Sequence, residues 1–190
     1  MRMSIRFDIL RHICSSNNDM QVIMELKKLG KMSVRAGWVD GNVTAAEAYA
    51  HLMEKKATGK DQPALGRPVS IALIARTLNY GREPGQTISG HKYGRIPARP
   101  FMQLAEKKMA ENMPKILKAY LPELLSGKMS KTAFLEMLGS MMAGEIKDAM
   151  TKGQWAPLSP KTIKRRRHGG SQPLIDTGTL RASVSFEIEK

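Results

Sequence analysis

The sequence predicts an α+β fold, with a small antiparallel or mixed sheet and several helices packed on one face. Apolar and polar residues alternate near both ends of the chain and again around residue 35, which is typical of half-buried strands. Elsewhere apolar residues recur every three or four positions over long stretches, which is typical of amphipathic helices. No internal repeat divides the chain, so we expect a single domain over residues 1–190.

Composition restricts the class of protein further. The chain has 14 methionines and only 5% aromatic residues, so its core is expected to be aliphatic and methionine-rich. No apolar run approaches the roughly 20 residues that a transmembrane helix requires, and charges interrupt the N-terminal stretch where a signal peptide would be apolar. The single cysteine, Cys14, cannot form an internal disulfide, which fits a reducing cytoplasm.

The net charge of +14 is the strongest signal of composition. A chain this basic is attracted to polyanions such as nucleic acid, anionic lipid or an acidic protein surface. Two interpretations stay open. The basic surface contacts nucleic-acid phosphates directly, or it meets an acidic partner within an assembly.

The N-terminal part is predicted to contain two strands and two helices. Residues 3–9 and 32–38 alternate with period two and are assigned to strands. Residues 20–29 form a short amphipathic helix before a terminating glycine. Residues 44–57 are strongly helix-forming, with a threonine cap at their start.

The middle of the chain is predicted to be mainly helical. Residues 69–80 form one helix, followed by residues 82–100, which are rich in Gly and Pro and are assigned to an extended, exposed loop. Residues 101–125 form a long helical region in which two prolines are expected to cause kinks or breaks. Residues 130–151 form an amphipathic helix whose methionine stripe is assigned to the core.

The C-terminal part combines several local signals. Ser159 and Pro160 begin a short basic helix that runs to Gly169 and Gly170. Asp176 is predicted to cap a single helical turn. Residues 184–188 alternate again and are expected to complete the sheet, so truncation after Gly170 should unfold the domain.

No motif predicts catalysis. Asp176-Thr177-Gly178 matches the D-T-G of aspartic proteases, but those enzymes need two converging aspartates and the triplet occurs once. The four histidines lack metal-ligand spacing, and the glycine-rich pieces match no phosphate-binding loop. We therefore expect no enzyme activity, no catalytic residue, no metal and no cofactor.

The densest basic run follows Pro160 and is expected to form a basic surface. Three consecutive arginines on a helix point in different directions, so at least one should face protein or a partner. Aromatic residues are not interleaved with the cations, as a platform for single-stranded nucleic acid would require. The residues assigned to this surface are Lys161, Lys164, Arg165, Arg166 and Arg167.

Two passages resemble a known family. One is R-T-L-N-Y-G-R over residues 76–82, followed by Y-G-R-I-P-A-R-P-F-M over residues 93–102. The other is W-A-P-L-S-P-K-T-I-K-R-R-R over residues 155–167, followed by P-L-I-D-T-G-T-L-R-A-S-V-S-F-E-I over residues 173–188. In order and spacing they resemble the tailed-bacteriophage virion morphogenesis family of tail-completion, neck and head–tail joining proteins. The resemblance covers residues 69–190, and residues 43–67 look like a helical insertion.

The resemblance implies a structural subunit without catalysis. Copies of the chain would form a ring at the phage neck, with a hexamer favoured over a dodecamer. The ring would complete the tail and join it to the portal or connector, meeting tail tube or tail terminator proteins. DNA in the channel would be contacted passively, and no membrane is involved. The protein would assemble in the host cytoplasm and reside at the head-proximal end of the tail in the virion.

Within this resemblance, residues 82–100 are an arm that reaches a neighbouring subunit, and both prolines near its exit hold the preceding residues extended. The alternative is that residues 96–101 only join a loop to a helix. The residues expected at the partner or subunit interface are Arg82, Tyr93, Arg95, Ile96, Arg99 and Phe101.

Two other classes of function are kept beside the ring subunit. One is a basic nucleic-acid-binding protein that contacts phosphates without sequence specificity, with strongly salt-dependent affinity. The other is a hydrolase that uses Asp176. The first predicts DNA binding weakened by high salt, and the second predicts an activity abolished by Asp176→Asn.

Overall fold

The structure is a computed structural model with an α+β fold, as the sequence predicts. It describes residues 2–6, 32–38, 70–86, 90, 92–166 and 170–189. The helix predicted over residues 20–29 and the insertion predicted over residues 43–67 lie outside these ranges. Within them, the elements in chain order are β1 Arg2–Arg6, β2 Ser33–Gly37, α1 Ile71–Tyr80, β3 Gly85–Gln86, β4 Lys92–Tyr93, α2 Phe101–Leu125, α3 Lys131–Lys152, α4 Pro160–Arg165, α5 Thr179–Ala182 and β5 Ser185–Glu189.

The described residues belong to two compact units. One unit holds those of residues 70–101 and 150–183. The other holds those of residues 2–38, 102–149 and 184–189. The chain enters each unit more than once, so each unit combines stretches that are distant in the sequence.

The second unit contains a three-stranded antiparallel sheet in the order β1-β2-β5. Ala36 of the central strand lies opposite Met3 on one side and Phe186 on the other. Val34 and Ala36 are fully buried, as the period-two pattern predicted for this strand. The prediction that strands from both ends of the chain join the one near residue 35 is confirmed.

Helix α2 runs unbroken through both of its prolines, so neither of them breaks the helix. Pro114 and Pro122 are both exposed, so the carbonyls that lose an intrahelical N–H partner lie on the solvent side of the helix. The opposite face is apolar. Its buried residues are Phe101, Met102, Ala105, Met109, Met113 and Leu117.

Helix α3 begins where Ser130 caps it, since the Ser130 Oγ accepts a hydrogen bond from the Ala133 N–H at 3.1 Å. Together with α2 it supplies most of the apolar core, and methionines from both helices are buried. The assignment of the methionine stripe to the core is therefore confirmed for its innermost members. The buried residues of α3 are Phe134, Leu135, Leu138, Met142, Ala143, Ile146, Ala149 and Met150.

Candidate functional site

Residues 82–86 and 92–96 lie in two antiparallel segments within the stretch that was predicted to be an extended loop. β3 and β4 pair with each other. Nearer the base, Arg82 and Ile96 exchange backbone hydrogen bonds of 2.9 and 2.8 Å. Strands of two residues are too short to produce a recognisable alternation, so the sequence suggested only an irregular segment. We call residues 82–86 and 92–96 the hairpin arm.

The base of the hairpin arm is tied to α1. Gly81 ends α1 with φ 77°, and a Cβ there would lie 2.7 Å from the Ile96 carbonyl oxygen and 2.8 Å from the Ala98 nitrogen. Only glycine allows both this backbone angle and this close approach. The Arg99 N–H donates to the Leu78 carbonyl at 3.0 Å, which fixes the chain where it leaves the arm.

The surface of the hairpin arm is polar and charged. The Arg82 guanidinium lies 4.1 Å from the centre of the Tyr93 ring, a cation–π contact between the two sides of the arm. Arg95 pairs with Glu83 at 3.5 Å, and both side chains are largely exposed. Four of the predicted interface residues therefore belong to the arm, with Arg82 and Arg95 exposed and Tyr93 and Ile96 half-buried.

The other two predicted interface residues are buried within the chain, which corrects the prediction. Arg99 is 3% exposed and Phe101 is 0% exposed. The Arg99 Nε and Nη2 donate to the Ala156 carbonyl at 3.2 and 3.0 Å. A guanidinium with this geometry holds the 153–159 segment in place rather than meeting a partner.

Arg99 and Arg166 form a pair of like charges in the first unit. Burial lowers the pKa of Arg99, and the positive charge of Arg166 lowers it further. Arg166 Nη1 donates to three carbonyl oxygens, those of Gly170, Gln172 and Ile175, at 2.9, 2.6 and 2.9 Å. Both arginines therefore bind backbone carbonyls of the connecting segments that flank α4.

The predicted basic surface is only partly present among the described residues. α4 ends at Arg165, earlier than predicted, because Arg166 adopts an extended conformation and turns inward. Arg166 is thus an internal donor, contrary to its assignment to the surface. Lys161 and Lys164 are exposed. Arg167 and the side chain of Arg165 lie outside what the structure describes.

Asp176 does not cap the helical turn that follows it, so this prediction was wrong. The N-cap is Gly178, which has φ 82° and no side-chain cap. The Thr177 Oγ1 accepts a long hydrogen bond of 3.4 Å from the Thr179 N–H instead. The D-T-G triplet is a turn, and Asp176 is exposed beside it.

A groove in the second unit lies between α3 and β5, and the sequence did not predict it. It has a volume of about 400 Å³. Three of the four residues in its helical wall are small and recur at helical spacing, which is the signal that could have revealed it. We call it the β5 groove; its lining residues are Ser140, Ala143, Gly144, Lys147, Val184, Ser185 and Phe186.

The polar side of β5 is tied to the central strand. Glu189 forms an ion pair with Arg35 and accepts a hydrogen bond from the Ser33 Oγ at 3.1 Å. Because Phe186 faces α3, the sheet has an apolar side against the helix and a polar side opposite. This alternation fixes the register of β5.

The described part of the chain has neither a metal-binding cluster nor a membrane-spanning helix. Its His, Cys, Asp and Glu residues contain no group of three or more that could hold a metal ion. Its helices include none that is long and apolar enough to cross a membrane.

No protein-family model, curated protein or solved structure matches this chain. Proposals about its function therefore rest on its own residues and on the motifs within residues 69–190.

Proposed function

We propose that this chain is a structural virion protein that forms a ring at the neck of a tailed bacteriophage. The ring completes the tail and joins it to the portal or connector of the head. The motifs over residues 69–190 suggest this role. The hairpin arm is the structural observation that carries the proposal, because a subunit of a closed ring needs a surface that reaches a neighbour.

The hairpin arm has a fixed base and exposed charged side chains. Its base is held by the Arg82–Ile96 bridge and by the close approach at Gly81. Its charged side chains at Arg82, Lys92 and Arg95 are exposed. A segment that is already ordered loses little conformational entropy on binding, which favours association.

Helix α1, which precedes the hairpin arm in the chain, has exposed apolar side chains. Leu73 and Tyr80 are 51% and 61% exposed, although both are large and apolar in character. They lie seven residues apart, two helical turns, and so project from the same side of α1. Apolar and aromatic side chains of this kind are enriched at the centres of protein interfaces.

Assembly of the purified full-length chain tests the proposal. We expect sedimentation velocity to detect ring-sized particles, either of the chain alone or after addition of portal or tail tube protein. Replacing two exposed cations of the arm, Lys92→Ala with Arg95→Ala, should weaken assembly at least tenfold.

Lys115→Ala with Lys118→Ala is the matched control, because it removes the same charge from the exposed side of α2. Equal loss of assembly in both variants would indicate a general effect of charge rather than a role of the arm. A chain that stays monomeric with and without both partners would contradict the ring.

A second candidate function is contact with nucleic-acid phosphates without sequence specificity. Lys161 and Lys164 favour it, because both are exposed and lie one helical turn apart on α4. Replacing both with alanine should reduce the slope of log affinity for DNA against log salt by about 1.8, because each neutralised phosphate contributes about 0.9. An unchanged slope, or no binding of DNA by the wild-type chain, would contradict this function.

A further inference from the structure

Helix α1 has large apolar side chains on its exposed side. Its buried residues are Ile71, Ala75 and Asn79, of which two are small or polar. Leu73 and Tyr80 are two of the three large apolar side chains that are exposed among the described residues. A single exposed apolar residue needs no explanation, but two of them on one side of one short helix indicate a contact with another molecule.

Arg76 lies between these two side chains on the surface of α1. It follows Leu73 by three positions and precedes Tyr80 by four, so the three residues project within about 60° of one another around the helix axis. Arg76 is exposed, and its guanidinium has no ion-pair partner among the described residues. We call Leu73, Arg76 and Tyr80 the α1 stripe.

The available charge around the α1 stripe is positive. Helix α1 contains no Asp or Glu. The hairpin arm, which follows α1 after Gly81, contains one acidic residue, Glu83, and this residue pairs with Arg95. Lys92 of the arm is exposed and, like Arg76, has no ion-pair partner in the described part of the chain. The surface is therefore complementary to an acidic partner.

We propose that the α1 stripe binds an acidic amphipathic helix of a different protein. This inference rests on the proposed function, in which the ring joins unlike proteins of the head and the tail. It names the chemistry of the surface that one of those proteins offers, and it assigns the α1 stripe to that protein rather than to a neighbouring copy of this chain.

The spacing within the α1 stripe suits a helix lying alongside α1. Leu73 and Tyr80 are separated by two turns, about 10 Å along the axis. Apolar side chains at the same seven-residue spacing on a partner helix would pack against both. A carboxylate on the flank of that helix would accept two hydrogen bonds from the Arg76 guanidinium. Tyrosine and arginine are among the residue types whose removal weakens interfaces most.

Charge argues against a second copy of this chain as the partner. Arg76 lies near the middle of the α1 stripe, so twofold pairing of two stripes would bring two Arg76 side chains together. Like charges that face each other across an interface are unfavourable. The chain as a whole has a net charge of +14, which adds to the repulsion between copies that approach through basic surfaces.

The apolar members of the α1 stripe favour a protein partner over nucleic acid. Phosphate groups are contacted by cations and hydrogen-bond donors, so DNA bound through its backbone would use Arg76 and leave Leu73 exposed. A partner helix instead buries Leu73 and Tyr80 while it neutralises Arg76. The combination of one available cation with two large apolar side chains therefore fits an acidic amphipathic helix.

Photocrosslinking of the full-length chain tests the contact. Tyr80→p-benzoylphenylalanine is mixed with purified portal and tail tube proteins and irradiated. We expect a crosslink to one of these proteins, at a helix whose apolar residues are flanked by Asp or Glu, as located by mass spectrometry. The matched control is Leu125→p-benzoylphenylalanine, which places the same group at an exposed apolar position of α2 outside the stripe. It should give at most about a tenth of the crosslinked product.

The same experiment separates failure of this inference from failure of the proposed function. A complex that forms without a crosslink from position 80 would overturn the inference and leave the proposed function intact. Crosslinks mainly to a second copy, to added duplex DNA, or to a basic segment would overturn it in the same way. If the chain neither forms rings nor binds either protein, the proposed function fails and this inference fails with it.

Substitutions in the α1 stripe give a second measurement, the affinity for the protein that crosslinks to position 80. Arg76→Glu should weaken binding at least tenfold, and Leu73→Ser combined with Tyr80→Ser should do the same. Lys118→Glu makes the same change of charge on the exposed side of α2 and should weaken binding less than twofold.

Ring formation should be unchanged in all of these variants, because the α1 stripe does not join copies of this chain. If the two serine substitutions left binding unchanged while Arg76→Glu weakened it, the surface would be a general anion site, and the inference would be overturned. Loss of rings in folded Arg76→Glu would also overturn it, since the stripe would then lie between copies.

Discussion

The ring of Phe186 lies directly against Gly139, so that the last strand of the chain rests on the backbone of α3. A Cβ at position 139 would lie 2.6 Å from the ring Cγ and 2.9 Å from Cε2. The absence of a side chain at Gly139 therefore allows the sheet to approach the helix. One helix position thereby determines where β5 lies and where the β5 groove opens.

Two glycines of α3 should respond oppositely to the same substitution. Gly139→Ala should lower the free energy of unfolding by about 1–2 kcal/mol, since overpacking costs about 1–3 kcal/mol and outweighs the gain in helix propensity. Gly144→Ala should raise it by about 0.5–1 kcal/mol, because alanine is the better helix former and the site is open. Urea denaturation measures both. A Gly139→Ala variant as stable as wild type would indicate that Phe186 is free to move away.

The base of the hairpin arm should depend on Gly81. Gly81→Ala combines a left-handed backbone angle with contacts under 3 Å to backbone atoms that cannot rotate away. We expect a loss of at least about 2 kcal/mol in the free energy of unfolding of this unit. Gly94→Ala, in the same arm, is the control and should change it by less than about 0.5 kcal/mol. Similar melting curves for the two variants would contradict the close approach at Gly81.

Arg99 and Arg166 should be coupled unfavourably. Arg99→Ala leaves the Ala156 carbonyl without its charged donor, which should cost about 2–3 kcal/mol, and Arg99→Lys should recover little because an ammonium cannot reproduce the planar fork. Arg166→Ala should be destabilising for the same reason. Because each single variant already relieves the same repulsion, the double variant should lose about 0.5–1 kcal/mol more than the sum of the single losses. If the losses in free energy of unfolding were strictly additive in this double-mutant cycle, the result would contradict the repulsion that lowers the pKa of Arg99.

Truncation after Gly170 should abolish cooperative unfolding. It removes β5, which forms one edge of the sheet and pairs along five residues with β2. It also removes two of the three carbonyls that Arg166 binds, those of Gln172 and Ile175. Removal of Lys190 alone is the control and should leave the melting curve unchanged. A truncated chain that melts cooperatively at the wild-type temperature would indicate that the C-terminal stretch is a tail.

Elements with many alternating or amphipathic positions could be predicted from the sequence. α2 and α3 were found because more than four turns of each helix bury a regular stripe. β2 and β5 were found because polar or small residues alternate with apolar ones along five residues of each strand. Pro114 and Pro122 do not break α2, since their local preference is weaker than the burial of the whole helix face.

Features that depend on a few backbone angles or on distant contacts could not be predicted. The hairpin arm has pairing segments of two residues, too short for a pattern. Asp176 resembled a cap because its residue type is common there, but the turn places Gly178 at that position. Arg166 resembled a surface cation, yet its partners are carbonyls up to nine residues further along the chain. The β5 groove required knowing which residues of α3 face β5.

We propose that this chain closes into a ring with copies of itself. Negative-stain electron microscopy of the purified full-length protein, with rotational averaging of end-on views, tests it most directly. We expect closed rings of uniform diameter with a fixed number of subunits, sixfold being favoured, and far fewer rings in the variant that combines Lys92→Ala with Arg95→Ala. Uniform monomers in the wild-type sample, both alone and after addition of portal and tail tube proteins, would contradict the claim.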